Sequence, residues 1–419
     1  SLPYKFIFLF DALDEVPPSE IQVFLDDLQA TIESYSFALT IRESGINVES
    51  EPLAIDLCLS ISPLSYRAAF DLSQKILDNQ NIAKFNNEYR EKLHAIGFNF
   101  LSSPFSLSLT LEHYKENKVF HSTIEDIIEI WILKKIQHDR KKIQTTNTKV
   151  NTLNEKYICD AYSFTLYFLK IERGVSSIPE NDFEDILIKC YDNLRLAEHN
   201  ITRLLDVNEF ILMTQHYEIL TLSNDGYYST PHQLISDYLI SKEFSKNWKK
   251  HLPNHLNNTF FDIWLFSTTF INNNEQNDFL SSILEFDSIL GAKVAKKLPP
   301  SLLGIAENSI LKSEQSSRVI TRSNAIHALG ILGSDNCISR LRSEENLLDG
   351  EHSSQRERSL LLHGDIESLK RILKENEPHA QAPIKFSGGT YDVWFSSPPF
   401  IITDIARSRI NEWLTDKIG

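Results

Sequence analysis

The residues best suited to chemistry lie near the start of the sequence, where Phe6-Ile7-Phe8-Leu9-Phe10 runs directly into Asp11-Ala12-Leu13-Asp14-Glu15. A short, continuous apolar run closed by acids reads as a strand buried on both faces of a parallel sheet. It delivers Asp11 at its carboxyl end and puts Asp14 and Glu15 in the loop just beyond. The carboxyl ends of strands are where open α/β sheets keep their ligands. Carboxylates grouped there suit cation and water chemistry, although the same acids also fit a strand that simply ends in a solvated turn. No rival constellation stands beside them. The 13 histidines include no HExxH spacing, and no Ser/His/Asp or Cys/His arrangement stands out. Neither GxxxxGK[ST] nor GxGxxG occurs, so the chain does not by itself cradle a triphosphate in the usual way.

These acids need elements to hold them. Helical periodicity follows in Ile21, Phe24, Leu25 and Leu28, and Phe37 to Ile41 reads as a second short strand. Strand, helix and strand make a right-handed crossover of an α/β sheet. From about Leu64 to Arg140 the pattern is helical, interrupted mainly by Pro63 and Pro104, with Ile124, Ile127, Ile128 and Trp131 on one face of a helix in a bundle. Helices are expected to continue past Thr145 to Tyr217. Glu218 to Leu222 and Gly226 to Thr230 then flank an Asn224-Asp225-Gly226 turn, a strong hairpin signal, and a further helix follows at once. That order is the outline of a winged-helix domain over about residues 151–250. Beyond Trp248 the chain reads as helical. Arg322 to Leu332 and Leu360 to Leu373 suggest stacked, HEAT-like hairpins, with an irregular helical domain as the alternative. Ser387 to Pro399, holding Gly388, Gly389 and Pro398, reads as loop.

In this setting Phe6 to Glu15 resembles the Walker B motif of NACHT-type P-loop NTPases of the STAND class. The resemblance implies that Asp11 holds Mg²⁺ through water, that Asp14 and Glu15 orient or deprotonate the attacking water, and that Ala12 leaves room beside the first acid. Phe37-Ala38-Leu39-Thr40-Ile41-Arg42 resembles the sensor 1 strand, which makes Thr40 and Arg42 the groups facing the γ-phosphate. Leu101 to Leu107 resembles the helical-domain segment whose proline, here Pro104, packs near the adenine; by itself Pro104 is a helix-start proline. Thr230-Pro231-His232 and the helix through Asp237 and Tyr238 resemble the winged-helix segment whose histidine contacts the β-phosphate of ADP. Thr230 stands where relatives carry phenylalanine. An imidazole can donate a hydrogen bond to phosphate, and a histidine at a helix start also serves as a cap.

The resemblance covers roughly residues 4–250. It implies an α/β remnant of a P-loop NTPase core over residues 1–62, a helical domain over 63–150, a winged helix over 151–250 and a C-terminal helical sensor or repeat region over 251–419. Functionally, it implies a switch that binds ATP or ADP with Mg²⁺ and forms homo-oligomers on sensing a trigger, such as a phage protein, at the C-terminal helices. The setting would be innate immunity, meaning anti-phage defence in a prokaryote. The chain starts at Ser1 with no start methionine or signal peptide, so the Walker A segment and an N-terminal effector domain are expected upstream. Two other readings stay open: a non-catalytic helical scaffold with a degenerate ATPase remnant, and a nucleic-acid-dependent AAA+ regulator whose winged helix reads DNA.

Composition narrows these choices. The 419 residues exceed one compact core and suit two to four domains. With 42% hydrophobic and 24% charged residues the chain is of ordinary globular type, and no apolar run is long enough to span a bilayer. A formal charge of -15 argues against a broad nucleic-acid-binding face. Lys134/Lys135 and Arg140/Lys141/Lys142 read as solvated helix faces. Cys58, Cys159, Cys190 and Cys337 lie far apart without CxxC spacing, which suits a reducing compartment, with cytosol the default.

Overall fold

The computed structural model describes residues 7–10, 36–39, 64, 66–93, 101, 103–121, 123–142, 149–218, 220–223, 226–230, 232–343, 356, 359 and 360. It is mostly helical. The described residues fall into two compact units: one is 64–276, and the other holds the first two strands and the chain from 277 onward.

Strand β1 (Ile7–Phe10) pairs in parallel with β2 (Ser36–Leu39), Ile7 opposite Ser36 and Phe10 opposite Leu39. Parallel neighbours require a crossover connection, which agrees with the strand–crossover–strand pattern of the sequence. The periodic residues Ile21, Phe24, Leu25 and Leu28, and Ile41 after β2, lie outside the described residues.

In the unit from 64 to 276, α1 (Tyr66–Ile76), α2 (Asn79–Leu93) and α3 (Pro104–Asn117) enclose a core of Phe85, Tyr89, Leu107, Leu111, Tyr114 and Phe120. Phe85 is its hub, 5.0 Å from Tyr114 in an edge-on contact and 4.8 Å from Phe120 in a stacked one. On α4 (Ile124–Lys142), Ile124, Ile127 and Ile128 are buried as their spacing predicts, while Trp131 is half-buried. The basic residues of this helix are not simply a solvated face. Lys135 pairs at 2.9 Å with the buried Asp139, and Arg140 donates to the Leu153 carbonyl at 2.6 Å. Their long apolar stems allow partial burial while the charged ends find internal partners.

Next come α5 (Lys149–Thr152), α6 (Glu155–Tyr167), β3 (Ser177–Pro179), α7 (Phe183–Leu196), α8 (Ile201–Leu204), α9 (Val207–His216), β4 (Thr221–Leu222), β5 (Tyr227–Ser229) and α10 (Gln233–Phe244). Asn154 caps α6 and Asp206 caps α9 through a capping box with Glu209, satisfying first-turn N–H groups that the helices cannot pair internally. The predicted hairpin is present, with β4 and β5 antiparallel and Gly226 at φ +83° in its turn. That left-handed conformation suits glycine. The strand β3 interrupts what the sequence reads as continuous helix. It pairs antiparallel with β5, giving a three-stranded sheet in the order β3-β5-β4. Ile178 is its one buried residue, and Pro179 ends it on the sheet edge, where a missing N–H is tolerated.

After α10, α11 (Phe261–Ser267) contributes Trp264, fully buried edge-on against Phe244 at 4.8 Å. His251 lies flat against this cluster, stacked on Phe244 at 4.1 Å, with Nε2 3.3 Å from the Tyr167 hydroxyl. Burial, helped by the neighbouring His255 and Lys250, drives the His251 pKa down to about 4. It is therefore a neutral, aromatic core residue.

The second unit carries α12 (Gln276–Phe286), α13 (Ser288–Lys297), α14 (Leu303–Glu314), α15 (Val319–Leu332) and α16 (Asp335–Arg342). Helix α15 is central, packing on α13, α14 and α16 through Ala325, Ile326, Ala328 and Leu329. Its Gly330 admits a close neighbour: a Cβ there would lie 2.6 Å from the Ser359 Cβ and 2.8 Å from its Cα. At the end of α14, Glu314 is buried beneath two arginines. Arg356 donates to Oε1 at 2.9 Å, and Arg340 donates to Oε2 at 2.9 and 3.2 Å. Residues beyond 360, including the second candidate repeat segment and the Gly- and Pro-rich tail, lie outside the described residues.

Candidate functional site

Seven residues carry the chemistry read from the sequence, and two of them fall among the described residues. Asp11, Asp14, Glu15, Thr40 and Arg42 lie outside. What is described is the pair of strands that precede them: Phe10, directly before Asp11, is in register with Leu39, directly before Thr40.

The remaining two, Pro104 and His232, stand at helix starts. Pro104 is the first residue of α3, behind the extended N-cap Ser103, where its missing N–H removes nothing the helix uses. It is exposed. His232 is the N-cap of α10, with extended backbone at φ -157° and ψ 130°. Its carbonyl receives the Ile235 N–H at 3.1 Å, and its Nδ1 accepts from the Leu234 N–H at 3.1 Å. An imidazole whose Nδ1 accepts carries its proton on Nε2 in the neutral form. The capping role expected of a histidine at a helix start is thus present, and it fixes the tautomer.

These two helix starts meet through Phe105. Its ring lies flat on the His232 imidazole, with centroids 3.5 Å apart and planes within 5°. Both rings are half-buried. Phe105 is the site residue that the sequence reading passed over in favour of its neighbour Pro104. The available signal was an aromatic in the first turn of a helix, a position turned away from the buried face that begins at Ser106 and Leu107. The ring face and the Leu234 N–H together hold the imidazole plane, with Nδ1 accepting and the proton on the Nε2 edge. That edge can donate to an anion such as a phosphate oxygen, and more strongly once protonated. Further along α10, Tyr238 turns inward, 1% exposed, against Phe266 and beneath Lys242.

Burial pushes the thiol of Cys159 up to about 11 and that of Cys190 up to about 12, leaving both protonated and inert. Among the described residues, no group of three or more His, Cys, Asp or Glu side chains could hold a metal ion, and no helix is long and apolar enough to cross a membrane. Compared with models of known protein families and with characterised proteins, the chain matches none.

Proposed function

We propose that this chain is part of a nucleotide-dependent signal-transduction switch of the STAND/NACHT type, a cytoplasmic protein that self-associates when a trigger is sensed at its C-terminal helices. The observation that carries the reading is the Phe105–His232 stack. It places side by side two segments, far apart in sequence, that the family uses on the two ends of one nucleotide. Helix, strand, three helices and hairpin in that order, with the first strand docked on the last, support a winged helix for residues 151–250, and the packing about α15 supports helical repeats after it. The parallel β1–β2 pair supports the Walker B and sensor 1 assignments, with Asp11 for Mg²⁺, Asp14 and Glu15 for the attacking water, and Thr40 and Arg42 for the γ-phosphate. ATP or ADP would be held with the help of a phosphate loop outside this sequence.

In the resting state His232 donates to the β-phosphate of ADP, and α3 and α10 are held together over it. A hydrogen bond to a charged group is worth about 1.5–3 kcal/mol, so removing one made only in the closed form shifts the equilibrium toward the open form by roughly ten- to a hundredfold. The test is His232→Ala in the protein as encoded, read by native mass spectrometry for oligomers and retained nucleotide. Trigger-independent oligomers with ADP lost support the switch. A monomer that keeps its nucleotide, with only a shortened α10, supports the non-catalytic scaffold, for which His232 is a cap and nothing more.

A further inference from the structure

A pair of imidazoles, away from the Phe105–His232 contact, converges at the far end of α3. His113 lies on the last turns of this helix. Lys118 then adopts the left-handed conformation, φ 57°, that turns the chain back, and Phe120 anchors the returning segment in the Phe85 core. His121 follows it. This geometry sets the two Nε2 atoms 2.6 Å apart, with ring centroids at 4.3 Å and planes at 62°. Both rings are half-buried and reachable from solvent. At that separation the two nitrogens cannot both present lone pairs unless something positive lies between them. A single shared proton meets the need at this distance, and a metal ion would meet it once the rings part slightly.

We propose that His113 and His121 form a two-imidazole site for a divalent transition-metal ion of the zinc class. Imidazole nitrogens suit Zn²⁺, Ni²⁺ and Cu²⁺ and not the oxygen-seeking Mg²⁺ or Ca²⁺. Zinc–nitrogen bonds of about 2.0–2.1 Å in a tetrahedron set the ligand atoms about 3.3–3.4 Å apart, so the rings need open by less than about 1 Å, within reach of side-chain torsions. Water completes the coordination. The Glu116 carboxylate, one turn along α3, is paired with Lys134 and offsets its positive charge. Asn117 supplies the outer support. Its Nδ2 is 3.2 Å from His113 Nδ1 and also donates to the His113 carbonyl at 3.2 Å; turning the amide would exchange that carbonyl bond for one in which the amide oxygen accepts from an Nδ1–H, the tautomer a metal on Nε2 requires. The ion would clip the last turn of α3 to the segment leading into α4.

The test is calorimetric titration of the whole chain with Zn²⁺ alone at neutral pH, beside His121→Ala, His121→Cys and Asn117→Asp. Because the chain has 13 histidines, other weak sites will bind too, and the comparison among variants isolates this one. The expected result is one equivalent lost or weakened about tenfold or more by His121→Ala, retained by His121→Cys through its thiolate, and strengthened by Asn117→Asp. Mg²⁺ should give no heat. Equal zinc binding by the parent and His121→Ala, with both showing the same circular dichroism, would overturn the proposal. So would parent protein that takes up no zinc, leaving the pair as a proton-sharing hydrogen bond.

Discussion

Two buried centres, one in each unit, hold ionisable side chains in opposite ways. The C-terminal helices close over Glu314 and Arg356, each 1% exposed, as charged partners in direct contact. The 64–276 unit closes over His251, which stays uncharged and behaves as one more ring beside Phe244 and Trp264. Burial acts on both. At Glu314 it raises the pKa, but hydrogen bonds and charge from Arg356 and Arg340 together outweigh it and leave the carboxyl below its ordinary value. At His251 nothing opposes burial, so the group gives up its proton. A buried ionisable side chain is thus tolerated either with a partner of opposite charge or without its charge.

The largest effect should come from removing one partner of the charged centre. Glu314→Gln leaves two guanidinium groups facing a neutral amide, one of them fully buried, and should destabilise that unit by about 3–5 kcal/mol. Replacing Glu314, Arg340 and Arg356 together with apolar residues of similar size should cost much less, because no charge is then stranded. Hydrogen exchange of α14–α16 amides measures both. If the single and triple variants lose equally, packing and not charge pairing holds this centre.

Acid should separate the units by pH window. A depressed His251 pKa means that the folded form binds fewer protons than the unfolded one, so stability is fully present above about 6.5 and is lost as pH falls toward about 4. The loss is up to about 3 kcal/mol. Glu314 has the same sign, but its window starts lower, near the ordinary carboxylate range of 4.5, and extends below it. Exchange protection around 245–267 should therefore fall before that of α14–α16 on acidification, and His251→Phe should remove the earlier step. Simultaneous loss in both units would break the comparison.

The smallest effect belongs to the half-exposed stack. Phe105→Leu removes the flat contact on His232 while keeping an apolar side chain, and should lower stability by about 1 kcal/mol. A melting scan reads this. A much larger loss would mean that Phe105 supports the core as well as the imidazole.

Legibility in the sequence followed the range of the signals involved. The long amphipathic helix Ile124–Lys142 and the glycine turn at Gly226 announce themselves locally, by spacing and by a residue suited to positive φ. β3 did not. It has three residues, one of them buried, so no alternation can register, and it is a strand because β5 offers it an edge. Likewise Pro104 and His232 were visible as helix-start residues, but Phe105 gains its importance from a ring that the chain reaches only after a whole further set of elements. The internal partners of Lys135 and Arg140 were hidden for the same reason: charge runs in sequence carry no record of what folds over them.

The sheet order β3-β5-β4 also sets a timetable for biosynthesis. β4 and β5 are close neighbours in the chain, and a hairpin of that kind closes in about 1–10 μs. β3 pairs with β5 across the turnings of three helices, Ser177 opposite Ser229, about fifty residues apart. At a translation rate of about 5–20 residues per second, β3 leaves the ribosome roughly 3–10 s before the strand that covers it. During that interval Ile178 has no sheet to enter, and α6, capped by Asn154, and α7 must hold their shape on their own packing. The small sheet is consequently complete only after α7, α8 and α9 have been made, and a nascent chain stalled before Tyr227 would display β3 as an open edge.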